Sequence, residues 1–268
     1  MPPLLYEKRD GIAYVTFNRP ERHNAWDAET MCRLADAWKD FDQDETLRVA
    51  VVTGAGDRAF SVGADLERLI PLWTGARKPQ DEWEERALTD RKLTAHALMR
   101  GSAMYKPIVA AVNGYCLAGG AELLWATDIR IAAEHASFGL SEAKRALVPA
   151  GGSMVRLPRQ VPYAKAMEIL LTGDRIPAQE AYNFGLVNYV VPAADVMPTA
   201  EKFARTLAAN GPIALRKIKE AVVRTSGIPL DEAFKIETEC AQEVMLSEDA
   251  REGPRAFMEK REAKYTGR

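Results

Sequence analysis

Two carboxylic acids and a pair of adjacent glycines are the residues of this chain whose types and spacing suit chemistry. Glu122 comes just after Gly119-Gly120, and Glu142 follows Phe138-Gly139-Leu140-Ser141. Where two glycines leave the main chain bare, a ligand oxygen can approach backbone N–H groups, and a helix start adds the positive end of a dipole. Together these make an oxyanion hole. A tight turn or close helix packing would use the same glycine pair. Glu122 falls in the first turn of a helix expected over 119–127, where the dipole favours the carboxylate form and so a base. Its neighbours Cys116, Leu117, Ala118, Ala121, Leu123 and Leu124 are all apolar, which argues against a solvated surface position. Glu142, also set beside apolar groups, is expected to hold its proton longer. Two carboxyls in unequal environments can divide acid and base work.

Several elements must position these groups. Residues 4–18 alternate around the turn pair Asp10-Gly11 and predict a hairpin. Asp27 can cap a helix in which Met31, Leu34, Ala35, Trp38 and Phe41 share one face. Runs at 48–53 and 107–112 read as buried strands, followed by Gly54-Ala55-Gly56 and Asn113-Gly114. The segments 59–66 and 113–122 come after those strands, so both can aim backbone N–H groups into one crevice at strand ends. The stretch 71–100, with Trp73, Pro79 and Trp83 among many charges, is the least regular and is expected to be partly helical and mobile. A strand at 128–132, helices at 152–160 and 163–171 and a strand at 186–191 follow. Beyond 194 the spacing predicts helices over 199–209, 213–225, 230–246 and 249–264. The chain thus divides into an α/β body, 1–193, and a helical region, 194–268, whose apolar faces must be covered by the body or by a neighbouring subunit. No internal repeat is visible.

Bulk properties exclude some functions. With 36 Lys and Arg against 38 Asp and Glu, no global field draws the chain to nucleic acid or to an anionic membrane. The apolar runs fall far short of the ~20 residues of a membrane span, and the first ten residues do not read as a signal peptide. Cys32, Cys116 and Cys240, widely and irregularly spaced, predict reduced thiols and a cytoplasmic setting. No dinucleotide or nucleotide-binding glycine motif occurs, and His23, His96 and His135 lie too far apart for a local zinc motif. Ser61 and Ser153 lack the nucleophile-elbow pattern. No metal and no separate cofactor are therefore expected.

A resemblance sharpens the reading. The segments Asn18-Arg19-Pro20 with Asn24-Ala25, Ala59-Phe60-Ser61 through Asp65-Leu66, Lys106-Pro107 through Glu122, Phe138 through Gly152, and Glu252-Gly253 through Arg261 span essentially the whole chain. In that order they resemble the enoyl-CoA hydratase/isomerase, or crotonase, superfamily, and most closely an enoyl-CoA hydratase. The resemblance implies an α/β spiral of ββα units with a helical C-terminal region that mediates homotrimers, often paired into homohexamers. It implies an acyl-CoA substrate, coenzyme A being part of that substrate, with the thioester oxygen held by the backbone N–H groups of Ala64 and Gly119. Glu122 would deprotonate a water and Glu142 would exchange the proton at C2. Arg22, Ala25, Ala64, Asp65 and Leu66 map to the CoA edge, with Leu117, Gly119, Ser141 and Gly151 also at the substrate. Phe257 and Lys260 map to a tail segment that reaches a neighbour's nucleotide.

Departures bear on the detail. Glu67 stands where several hydratases carry a lysine near the CoA phosphates, so another cation is expected to serve. Ser141 replaces a frequent proline, and 71–100 is longer than in compact short-chain hydratases. The run 138–144 resembles carnitinyl-CoA dehydratase-like members, which keeps that activity and enoyl-CoA isomerisation open. A non-catalytic scaffold of the same fold is the alternative of another class. RNA-binding relatives rely on a lysine-rich helix, whereas 27–42 has only Arg33 and Lys39 among its acids.

Overall fold

The computed structural model describes residues 1–268 apart from residue 102. Asp10 and Gly11, at φ 53° and 73°, make the tight turn that pairs β1 (Leu4–Arg9) antiparallel with β2 (Ile12–Phe17). Positive φ at both turn positions matches the twist of a two-residue hairpin, which Asp-Gly tolerates. Asp27 Oδ1 accepts from Thr30 N at 2.9 Å and starts α1 (Ala28–Gln43), whose apolar stripe is fully buried, as the spacing predicts.

The body repeats one motif that the side chains conceal. β3 (Val49–Gly54), β5 (Ile108–Val112) and β7 (Ile129–Ala133) lie side by side and parallel in a six-stranded sheet of order β1-β2-β3-β5-β7-β10, with β10 at Tyr189–Val191. Each of the three is followed within a few residues by a three-residue strand: β4 (Ala59–Ser61), β6 (Tyr115–Leu117) and β8 (Ser137–Gly139). These line up in the same order in a second sheet, β4-β6-β8-β9, closed by β9 (Ile176–Pro177). Two sheets built in step by successive ββ pairs, with helices between them, are the expected ββα spiral. The repeat lies in the backbone path, which explains why no sequence repeat shows. Phe17, Trp26 and Phe60 fill the space between the sheets, with ring centroids 5.4 and 5.6 Å from Phe17.

The stretch that reads as irregular resolves into α2 (Ile70–Trp73), α3 (Glu82–Thr89) and α4 (Leu93–Ala97), with α3 and α4 against α1. Glu84, only 3% exposed, accepts two 2.7 Å bonds from Arg77 and ties this segment down. α5 spans only Gly119–Leu124, shorter than expected, because Ala126 N and Thr127 N bond three residues back and tighten the last turn. α6 (Ser153–Gln160) and α7 (Tyr163–Thr172) follow, α7 ending at Gly173 in the left-handed region (φ 66°). α8 (Ala178–Asn183) has no clear sequence signal.

α9 (Val196–Ala209) lies on the large sheet through Ala200 and Ala204. α10 (Pro212–Thr225) and α11 (Leu230–Met245) pack on each other, and α12 (Asp249–Met258) ends before the expected residue 264. The cause is on α12 itself. Asp249 accepts from Thr266 N (2.7 Å) and Gly267 N (2.9 Å), and Glu252 from Lys264 N (3.0 Å), so the chain end folds back along the helix. Ile218, Val222, Phe234, Leu246 and Phe257 remain exposed on these helices. Among the described residues no helix is long and apolar enough to cross a membrane.

Candidate active site

Asn24 organises one wall. It is 1% exposed, its Nδ2 donates to Ala59 O (2.7 Å) and Ala55 O (3.0 Å), and its Oδ1 accepts from Arg19 N (2.9 Å). Ser61 Oγ donates to Asn24 O (2.8 Å) and accepts from Gly63 N (3.1 Å). These bonds strap the turn after β4 to residues 24–26. Trp26 N then donates to Gly63 O, and Asp65 N to Trp26 O, both at 2.8 Å. Because peptide groups alternate along an extended strand, the Ala64 N–H points away from Trp26.

The opposite wall is the turn into α5. Ala118 sits at φ 48°, ψ −127°, a conformation that residues with a Cβ rarely adopt and that stores strain. Its N–H donates to Gly139 O (2.9 Å), and the β6–β8 pairing holds the turn. Gly63, at φ 80°, lies so close that a Cβ there would fall on the Gly119 nitrogen. A Cβ on Gly120 would fall on Ser61 O. Both uses foreseen for the glycine pair are thus present: Gly120 permits close packing, and Gly119 keeps the main chain bare beside residues 63–64. Among the described residues, the N–H groups of Ala64 and Gly119 donate to none of the loop, cap or side-chain acceptors.

Glu122 lies one helical turn further in and is 6% exposed. Burial, with a smaller contribution from the charge of Glu142, pushes its carboxyl up to about 7, against the opposing N–H groups of Ser153 and Gly151. The preference of the helix start for the carboxylate form is thus opposed by burial. A helix of six residues has a small dipole, and loss of water outweighs it. Ser153 N donates to Glu122 Oε1 at 3.4 Å, and a Cβ on Gly151 would lie 2.5 Å from Oε2. Gly151 is the gap into which the carboxyl fits. Burial also raises the Glu142 carboxyl, as expected, and its buried Oε2 has no hydrogen-bond partner among the described residues.

A cleft of about 1050 Å³ brings these groups together. Arg22, Ala25, Ala64, Asp65, Leu66, Leu117, Gly119, Glu122, Ser141, Glu142 and Gly151 all line it, while Phe257 and Lys260 do not. Phe257 is 82% exposed on α12, so within one chain the tail does not reach the site. The Asp65 side chain serves the loop. Its carboxylate accepts from Arg19 Nη1 (3.2 Å), Glu67 N (3.0 Å) and Arg68 N (3.2 Å). Glu67, in the place of the expected lysine, pairs instead with Arg22 at 3.2 Å. Lys144, Arg145 and Arg175 are further cations on the wall. Lys144 is paired with Asp174, Arg145 donates to Ser141 O, and Arg175 lies over the Tyr115 ring.

The apolar side chains of Met31, Ile70, Trp73, Leu98, Leu147 and Val148 also line the cleft. Two of these, Trp73 and Leu98, belong to the stretch 71–100, whose role the sequence left open. Arg100 lines the cleft as well and makes no ion pair among the described residues. Sequence reasoning missed Trp26, Asn24 as an organiser, Ser153 as a partner of Glu122, and Arg156, which donates to Leu98 O (2.9 Å) and Met99 O. The one available signal was Gly151-Gly152 before a helix, which marks main-chain donors near a ligand or an acid.

Comparison with known proteins agrees with this geometry. Residues 7–268 match the family model described as enoyl-CoA hydratase/isomerase. An enoyl-CoA hydratase of Mycobacterium tuberculosis is 42% identical over 267 residues, covering 100% of this chain and 97% of the relative. A carnitinyl-CoA dehydratase of Salmonella paratyphi A is 37% identical over 273 residues, with 100% of both covered. The crystal structure of an enoyl-CoA hydratase from Mycobacterium tuberculosis H37Rv superposes with a TM-score of 0.88 at 38% identity, covering 100% of each chain. With the sequence match, the superposition and the two-sheet spiral in agreement, the chain belongs to the enoyl-CoA hydratase/isomerase family.

Proposed function

We propose that the chain is an enoyl-CoA hydratase, a hydro-lyase that adds water across the C2–C3 double bond of a 2-enoyl-CoA thioester or runs the reverse dehydration. The observation that carries this reading is the pair of buried carboxyls, Glu122 and Glu142, on the wall of one cleft beside two backbone N–H groups with no acceptor among the described residues. A carboxyl held at about 7 is matched to proton transfer at neutral pH. In this mechanism Glu122, ionised, takes a proton from the water whose oxygen bonds to C3. Glu142, protonated, gives its proton to C2. The thioester oxygen gains enolate character between the two steps and is held by the Ala64 and Gly119 N–H groups, each such donor contributing ~3 kcal/mol of barrier lowering.

Coenzyme A belongs to the substrate in this reading, and its charged part lies toward the rim with Arg22, Lys144 and Arg175. The acyl group then extends along Met31, Ile70, Trp73 and Leu98 toward Arg100. A cation there disfavours the trimethylammonium group of a carnitinyl chain, which favours hydration of an uncharged enoyl chain over carnitinyl-CoA dehydration. Self-association as a trimer or hexamer fits the exposed Val222, Phe234, Leu246 and Phe257. A second copy would then present its Phe257 and Lys260 to the nucleotide.

The test follows the enoyl thioester absorbance with crotonyl-CoA and longer 2-enoyl-CoAs, in the wild type and in Glu122→Gln and Glu142→Gln. Hydration lost in both variants supports the reading. Turnover that survives loss of either acid, or double-bond migration in place of hydration, overturns it.

A further inference from the structure

The Glu122 side of the cleft contains an arrangement that the two-acid scheme does not use. Trp125 follows Glu122 by three residues, so the two side chains leave the same face of the α5 turn. Both point at the first residue of α6. Trp125 Nε1 donates to Ser153 Oγ at 3.0 Å, and Ser153 N donates to Glu122 Oε1 at 3.4 Å. Trp125 is 1% exposed and Ser153 fully buried, so water does not compete for either bond. The indole is braced in turn, with Gln160 Nε2 on Trp125 O (2.8 Å) and the Arg130 guanidinium 5.8 Å from its ring centre.

The chemistry of the donors sets the direction of this chain. An indole N–H can only donate, so Ser153 Oγ is the acceptor in that bond and its own proton must be used elsewhere. That bond pins Ser153 with its N–H directed at the Glu122 carboxylate, where the N–H opposes the upward push of burial. We propose that the Trp125 indole, by pinning the Ser153 side chain, is a positioning device that keeps the Ser153 N–H on the Glu122 carboxyl and so fixes that carboxyl in its reacting orientation. Trp125 and Ser153 touch neither water nor substrate in this scheme. They act through Glu122, and the proposal rests on the hydratase reading only where it invokes turnover.

The other charged groups facing Glu122 are Glu142, on the loop after β8, and Arg156, on α6. Neither is altered by the two variants that test the proposal. Ser153→Ala keeps the backbone N–H and removes the hydroxyl, while Trp125→Phe keeps the ring and removes the donor. Both variants release Ser153 and so loosen its N–H donor to the carboxylate, which raises the pKa of Glu122, and the acid limb of kcat/KM must move to higher pH. A shift of about one pH unit is the size of one hydrogen bond to a charged group. KM for crotonyl-CoA stays close to wild type, and Ser153→Thr, which retains the hydroxyl, returns the limb toward its original position.

A second readout needs no substrate. Urea unfolding of the full chain between pH 5 and pH 9 follows Glu122 directly, and the pH range over which stability falls must reach higher in both variants than in the wild type. If the wild type hydrates no enoyl-CoA but this range still moves, the hydratase reading fails and the relay stands. If the limb and the stability profile both stay in place, or kcat falls equally at every pH, the residues only support the fold and the relay is refuted.

Discussion

Replacing Glu122 with Gln should make the fold more stable at alkaline pH while it abolishes hydration, and the two effects have one cause. Glu122 titrates at about 7 in the folded chain against 4.5 when solvated. At ~1.4 kcal/mol per unit, that difference amounts to ~3 kcal/mol. The folded-state value is raised, so the favourable contribution is complete below pH 4.5 and is lost as pH rises through about 7. Above that range the fold must hold a carboxylate in a site that resists one. Gln does not titrate and escapes this loss. Its own amide leaves some hydrogen bonds unmade, at a cost of ~1–3 kcal/mol, but that cost is the same at every pH. The change in the difference between variant and wild type is therefore the quantity to measure. Urea midpoints at pH 5 and pH 8, at one protein concentration because self-association would shift them, should show the variant gaining ~2.5 kcal/mol on the wild type, the part of the total that falls inside this range. A difference that stays constant with pH, or a gain on the acid side, would mean that burial does not govern this carboxyl.

Three other outcomes follow. Gly63→Ala forces a Cβ into a positive-φ site and onto the Gly119 nitrogen, so kcat should fall ~10²–10³-fold, as for loss of an oxyanion donor, and unchanged steady-state kinetics would count against the assigned hole. Glu67→Lys releases Arg22 and adds positive charge at the rim, which should lower KM for CoA esters several-fold at low salt with kcat unchanged, the gain fading at higher ionic strength. Arg100→Gln should narrow the preference for crotonyl-CoA over a carnitinyl-type thioester in competition, and an unaltered ratio would remove Arg100 from substrate discrimination.

What could be read from the sequence was local chemistry. The Asp-Gly hairpin, the Asp27 cap and the buried runs of β3 and β5 each carry their cause within a few residues, and the structure shows all of them. The three-residue strands β4, β6 and β8 could not be read that way. They are too short for any period to show, and they exist because each finds a parallel partner contributed by a neighbouring ββ unit. The early end of α12 has the same character, since it depends on carboxylates that recapture a chain end many residues away. Glycines were visible as permissive positions, but what each one permits was not. Gly63 makes room for Gly119, Gly120 for Ser61, and Gly151 for the acid itself.

The balance at Glu122 could not be read from the sequence, which contained both competing effects and not their sizes. Three residues from a helix start, a dipole argues for a charged carboxylate; among Leu123, Leu124 and Trp125, burial argues against it. Only coordinates reveal that the helix is six residues long and that the carboxyl is packed against Gly151 and Leu98, so burial prevails. The outcome matters to the chemistry. A carboxylate stabilised by a strong dipole would be ionised and weakly basic, a poor acceptor for a proton from water. One raised to about 7 is ionised for a substantial fraction of the time at neutral pH and basic enough to take that proton. The burial that makes Glu122 a cost to the fold above neutral pH is thus what fits it to act as a base, and any substitution that relieves the cost should weaken the base in proportion.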